Sequence, residues 1–320
     1  MQYTPLISVV IPAYNGESLI GEALVSAQAQ TYKHLEIIVA DDGSTDGTLR
    51  FVQRMAAADP RIRVISQPHG GTQSARNAAL KHAQGEWIAL LDQDDVWLPE
   101  KLECQLLLLN DHPRPGLVYC NYYDWDGIHD LRLRYSKREK MVEGDVAKRL
   151  TSDCLFEASS VLVERKLAAA AGGFDPALHF AGDWDLWLRL AEAGLWVRGV
   201  WKPLMRYRLW GGNESKQRVP LAQQALAVVE KALARPQTPA LKRCYQRSRN
   251  LARSNLELAQ ARQFLDTASD QVSPAVWRAW WRYPRRIKWL LRWGLLGWPK
   301  SLGGTAATAY VHRKLRARIQ

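Results

Sequence analysis

The chain has 320 residues, 47% of them hydrophobic and 24% charged, with a formal net charge of +12. That is material for one large domain or a domain with an extension, and it excludes a disordered, collagenous or disulfide-stapled chain. The charge is lopsided: no acidic residue follows Asp270, eleven Lys/Arg fall in residues 271–320, and residues 1–270 hold 33 basic against 32 acidic residues.

The opening MQYTPLISVVIPAYNG lacks a basic leader, and Pro12 cuts its apolar run, so a strand is expected there and not a secretion signal. No segment reaches the roughly 18–20 unbroken apolar residues that a spanning helix needs. Cys104, Cys120, Cys154 and Cys244 form no CxxC pair. Reduced thiols in a cytoplasmic protein are therefore the expectation.

In chain order, strands are expected at Ile7–Ile11, Leu35–Ala40, Ile62–Ser66 and Trp87–Leu91. Between them Ser18–Gln30, Thr45–Ala58 and Thr72–Ala83 show helical apolar spacing. Such alternation predicts a parallel sheet with helices on both faces, and ligands then bind outside the carboxyl ends of the strands. The polar segments PAYNGE, DDGSTD, QPHGG and DQDD follow those ends. From Gly116 the pattern becomes mixed, with strands expected at Leu117–Tyr123, Ser159–Val163 and Trp196–Trp201 and a helix at Trp184–Ala193. This extension completes one α/β domain, set at residues 1–218. Residues 219–320 are expected to be a helical extension, basic and Trp-rich toward the end.

The oddest local feature is DQDD. Asp92, Asp94 and Asp95 gather three carboxylates at the end of an apolar run, where like charges repel unless a cation answers them. A hard divalent ion prefers such oxygen ligands. A capping role for Asp95 on a helix starting near Pro99 is the alternative for that residue. Ser44 or Thr45 reads as the cap of the helix after the second strand, with Asp46 or Thr48 in its first turn.

PAYNGE, DDGSTDGT, GGTQSARN and LLDQDD, in this order and spacing, resemble glycosyltransferase family 2 over roughly residues 5–215, and the resemblance extends into GDWDLWLRL. It implies a three-layer type A fold with a mostly parallel central sheet. The implied activity is inverting transfer of a sugar from a nucleotide-diphosphate donor, a UDP-sugar by expectation, to a saccharide or lipid-linked hydroxyl acceptor in surface polysaccharide or glycolipid assembly. Carried over residue by residue, Asp92 and Asp94 match the metal-binding DxD element for Mn²⁺ or Mg²⁺. Gln93 lies between them on the donor. Pro12, Ala13, Tyr14, Asn15 and Glu17 match the loop flanking base and ribose, with Tyr14 stacking and Glu17 accepting a ribose hydroxyl. One of Asp41 and Asp42 matches the nucleobase ligand, and Arg76 matches an arginine facing the nucleotide. Asp183 falls at the position of the catalytic base, with Asp185 as the alternative.

Two departures stand out. Gly182 replaces the first member of an acidic pair, and Trp210 stands where the family often has a histidine that helps the metal or diphosphate. Asn213, Ser215 and Lys216 are possible phosphate contacts, and His179 reads as a surface histidine. A polyprenyl-phosphate glycosyl synthase and a catalytically inactive sugar-binding scaffold are the alternative readings. Residues 274–300 hold six tryptophans and seven Lys/Arg with no acid. They suit an in-plane helix on an anionic membrane surface, or a helix packed on the catalytic domain. Nucleic acid is not an expected partner, because the body offers no supporting module.

Overall fold

The computed structural model describes residues 4–110, 115–213 and 217–266. The tail reading for residues 274–300, and Ser215 and Lys216, lie outside them.

Strands β1 (Ile7–Ala13), β2 (Leu35–Asp41), β3 (Ile62–Ser66) and β4 (Trp87–Leu90) alternate with helices α1 (Ile20–Gln28), α2 (Thr48–Ala58) and α3 (Thr72–His82). β1 is buried at every position and pairs in parallel with β2 on one side and β4 on the other. A strand covered on both faces needs apolar residues without alternation, which is why ISVVI reads as a continuous run. Each fully buried Val or Ile there contributes roughly 1.5–3 kcal/mol. β1 and β2 extend past their expected ends because parallel pairing continues through Pro12↔Ala40 and Ala13↔Asp41, whereas β3 ends where expected and β4 stops one residue short, at Leu90.

The second half changes the sheet. After the two-residue strand β5 (Val96–Trp97) and helix α4 (Lys101–Leu107) come β6 (Leu117–Trp125), β7 (Asp130–Leu133), β8 (Gly144–Asp145), α5 (Ala147–Leu150), β9 (Val161–Glu164), α6 (Arg165–Ala170), α7 (Gly182–Glu192) and β10 (Trp196–Arg208). The order across the sheet is β3-β2-β1-β4-β9-β6-β10-β5, with β7 on β6 and β8 on β10. β9 enters antiparallel between β4 and β6. Its start therefore lies beside the end of β4. β10 runs well beyond the expected Trp201 and pairs antiparallel with β5 at Met205↔Trp97 and Arg206↔Val96. The chain after β10 is thereby delivered to the turn after β4.

Helices α8 (Arg218–Ala234) and α9 (Pro239–Asp266) follow. The compact unit that holds the sheet extends through α8 to Ala252. The reason is that α8 buries Val228, Val229 and Ala232 in the same apolar cluster as Trp187 and Leu190 of α7. The four cysteines are free. No helix among the described residues is long and apolar enough to cross a membrane.

Candidate active site

The loops after β1, β2 and β3 are laced to one another by carboxylates and hydroxyls. Asn15 takes a left-handed φ of 45°. Its backbone N–H donates to Ser44 Oγ at 3.0 Å, and its side-chain oxygen accepts the Thr45 N–H at 2.8 Å. Gly47 N–H donates to Glu17 Oε2 at 3.0 Å, and Glu17 N–H to Asp46 Oδ2 at 3.2 Å. Asn15 and Glu17 therefore hold the second loop, and Ser44 binds the first loop instead of capping. α2 starts only at Thr48, whose backbone N–H is taken by Asp46 Oδ1 at 3.0 Å.

The two aspartates at the end of β2 differ. Asp42 is buried and accepts from Gln67 at 2.6 Å, Gly70 N–H at 2.9 Å and Gly71 N–H at 2.7 Å, with His69 Nδ1 at 2.8 Å. Its carboxylate is consumed in holding the third loop. Asp41 is also buried, and Ser66 reaches only its Oδ2, at 3.3 Å; among the described residues Oδ1 has no hydrogen-bond partner. A buried carboxylate oxygen without a donor is costly unless a ligand supplies one. Above this pair the Tyr14 ring stacks on His69 with centroids 4.1 Å apart, leaving Tyr14 exposed on one face. Gln93 is bonded reciprocally to the Tyr14 backbone at 3.0 Å each way. Pro12 and Ala13 complete the end of β1, where Ala13 C=O accepts the Asp42 N–H at 2.8 Å.

At the end of β4 the three carboxylates have three fates. Asp92 Oδ1 takes the buried Arg76 guanidinium at 2.6 Å, and its N–H donates to Ser159 Oγ at 3.0 Å, across the junction where β9 starts. Asp94 accepts the Trp210 indole N–H at 2.8 Å. Burial, then the neighbouring Asp92, push its carboxyl above the usual range. Asp95 is buried, accepts the Arg208 N–H at 3.0 Å and is pushed well up by burial and by its two neighbours. The capping alternative for Asp95 is corrected, since α4 begins at Lys101 without a side-chain cap. Asp92 and Asp94 suit a hard divalent cation chemically: both are carboxylates, and their mutual repulsion lacks a full counter-charge. Among the described residues no group of three His, Cys, Asp or Glu could hold a metal, so substrate oxygens and water would complete its shell.

The first turn of α7 supplies Asp183. Its Oδ1 accepts the Trp184 N–H at 2.7 Å, and the Cys154 thiol lies 3.9 Å from Oδ2. Burial raises its pKa, Arg76 opposes that, and Asp92 adds to it. Arg76 therefore links the carboxylate after β4 to the one on α7. Asp185, two residues on, points elsewhere. It is fully buried, with Arg189 at 2.8 Å and Lys231 at 2.9 Å on Oδ2 and Arg235 3.7 Å from Oδ1, so three cations surround it as an ion-pair hub. Gly182 also has a local reason, because a Cβ there would stand 2.5 Å from the Gln73 side chain. Gln73 needs that place to bond Arg76 at 3.2 Å and the His179 carbonyl at 3.1 Å. His179 is exposed, as expected.

Three residues escaped the sequence reading. His69 gave no signal beyond its place in QPHGG. Ser159 depends on β9 entering beside β4, which no local pattern announces. Glu157 left a trace as the lone acid in CLFEASSVLV. Its segment is strung between Cys154 at Asp183 and Ser159 at Asp92. The Glu157 carboxyl accepts from Tyr122 and is pushed up to about 7 by burial and then by Asp183.

A profile described as Glycosyl transferase family 2 matches residues 8–162. TuaG of Bacillus subtilis (strain 168), a putative teichuronic acid biosynthesis glycosyltransferase, is 31% identical over 219 residues, covering 68% of this chain and 84% of its own. An uncharacterized glycosyltransferase of Rickettsia prowazekii (strain Madrid E) is 37% identical over 194 residues, 58% of this chain, and the match spans only 59% of that relative's length. Among solved structures, the mannosyltransferase PcManGT from Pyrobaculum calidifontis, in complex with GDP-Man and Mn²⁺, superposes with a TM-score of 0.64 at 23% identity, over 93% of this chain and 82% of its own. The fold is that of the type A glycosyltransferases. The chain belongs to glycosyltransferase family 2.

Proposed function

We propose that the chain moves a sugar, with inversion, from a nucleotide-diphosphate donor to a hydroxyl acceptor in surface polysaccharide or glycolipid assembly. The observation that carries this reading is Arg76, which bonds Asp92 at 2.6 Å and lies in the field of Asp183. It couples the proposed donor carboxylate to a second carboxylate, Asp183, the proposed base.

Tyr14, backed by His69, offers a stacking face to the base, and the unpartnered Asp41 Oδ1 accepts a base N–H, such as that of uracil. Asp92 and Asp94 are the residues that would hold Mn²⁺ or Mg²⁺, which would supply Lewis-acid stabilisation of the leaving diphosphate. Asp183 accepts the proton of the acceptor hydroxyl as that oxygen bonds the anomeric carbon. The bond from that carbon to the diphosphate oxygen breaks on the opposite face. A raised pKa makes Asp183 a better base than an exposed aspartate, and Arg76 opposes part of that rise. Asp185 is the weaker candidate because three cations already surround its carboxylate.

Incubation with UDP- and GDP-sugars, with Mn²⁺ or Mg²⁺ and then with a chelator, tests the reading. Nucleoside diphosphate release that requires the ion, and a product of inverted anomeric configuration by NMR, are expected. Release unaffected by chelation overturns the metal assignment, and retention of configuration overturns the single-base mechanism.

A further inference from the structure

The residue that ends the β10 excursion is Trp210, whose indole N–H donates to Asp94 Oδ2 at 2.8 Å. Indole nitrogen is a donor only and cannot ligate a cation. The ring is nevertheless seated by its own neighbours. Trp210 backbone N–H donates to Asn213 Oδ1 at 2.5 Å, and Asn213 Nδ2 donates to the Arg208 carbonyl at 2.8 Å, which folds WGGN back on the strand end. Gly212 lies under the ring, and a Cβ on it would stand 2.3 Å from the indole. On the other side Arg208 Nε donates to the Asp94 carbonyl at 2.8 Å, while its backbone N–H holds Asp95 at 3.0 Å. The DQDD turn is therefore gripped from one strand end at side chain and backbone together.

We propose that Trp210 is a positioning residue for the cation site, fixing the Asp94 carboxylate by its indole N–H so that one oxygen is held back and the other is left for the ion. The inference rests on the proposed metal role of Asp92 and Asp94. A hydrogen bond of this kind sets the rotamer of a ligating carboxylate, and loss of such a partner typically weakens metal binding about 10–100-fold. Asn213, a candidate phosphate contact by sequence, acts instead on the seat of the indole.

The test is Mn²⁺ binding by the full chain in the presence of UDP or GDP, followed by electron paramagnetic resonance. Wild type, Trp210→Phe, Gly212→Ala and Asp94→Ala are compared, with thermal unfolding of each as the control. Trp210→Phe keeps a ring and loses the N–H; Gly212→Ala keeps the N–H and displaces it. Both are expected to raise the Mn²⁺ dissociation constant at least ~10-fold with little change in unfolding temperature. If both bind Mn²⁺ as wild type does while Asp94→Ala fails to, the positioning role is overturned and the metal site stands. If wild type and Asp94→Ala bind Mn²⁺ alike, the metal reading falls and the inference falls with it.

Discussion

The two sides of the site use carboxylates in opposite ways. On the side built from the β1, β2 and β3 ends, Asp42, Asp46 and Glu17 are surrounded by N–H donors and hold loops together. On the side built from α7 and the segment before β9, Asp183 and Glu157 are not ringed by loop N–H groups, and burial pushes both pKa values up. An ionised carboxylate that collects N–H donors is spent on architecture, whereas one kept partly unsatisfied remains available to a substrate. Asp183 and Asp185 repeat the contrast on one helix, one facing the Asp92–Arg76 pair and the other closed by Arg189 and Lys231.

The largest effect that would break this comparison is on the architectural side. Asp42→Ala leaves the Gly70 and Gly71 N–H groups and the Gln67 amide without their acceptor, and a loss of about 3 kcal/mol is expected. Denaturant unfolding measures it; a change well under about 1 kcal/mol would mean that the loop does not depend on Asp42.

A smaller and pH-dependent effect is expected on the other side. Glu157 is raised from its ordinary value of 4.5 to about 7, so between those values the folded chain holds a proton there that the unfolded chain has released. Its contribution to stability is therefore present at low pH and is lost as pH rises through about 7. Glu157→Gln removes that loss. The unfolding temperature of the variant relative to wild type should climb between pH 5 and pH 8, and parallel curves would show that Glu157 titrates normally.

The sequence made one side of the site more legible than the other. Parallel βαβ units have strong local signals, so Ile7, Leu35, Ile62 and Trp87 begin strands where expected, and the four loops converge at the carboxyl ends of those strands. The DQDD carboxylates stand out in the sequence as a cluster at a strand end, whereas the roles of Asp92, Asp94 and Asp183 come from the family resemblance. Ser159, Glu157 and the reach of β10 were not legible, because they depend on an antiparallel strand inserted beside β4 and on a strand that continues to Arg208. Nor could spacing separate Asp41 from Asp42, since the difference is made by Gln67, Gly70 and Gly71 some 25 to 29 positions later.

The central claim is that Asp183, and not Asp185, takes the acceptor proton. Asp183→Asn and Asp185→Asn can be compared for glycosyl transfer from the same donor, with donor affinity and unfolding temperature measured on each. Asp183→Asn is predicted to lose about 10²–10⁴-fold in kcat, the usual contribution of a general base, while binding donor and unfolding as wild type does. Asp185→Asn is predicted to lower the unfolding temperature and retain turnover. Near-normal transfer by Asp183→Asn, with turnover lost instead in a folded Asp185→Asn protein, would contradict the account.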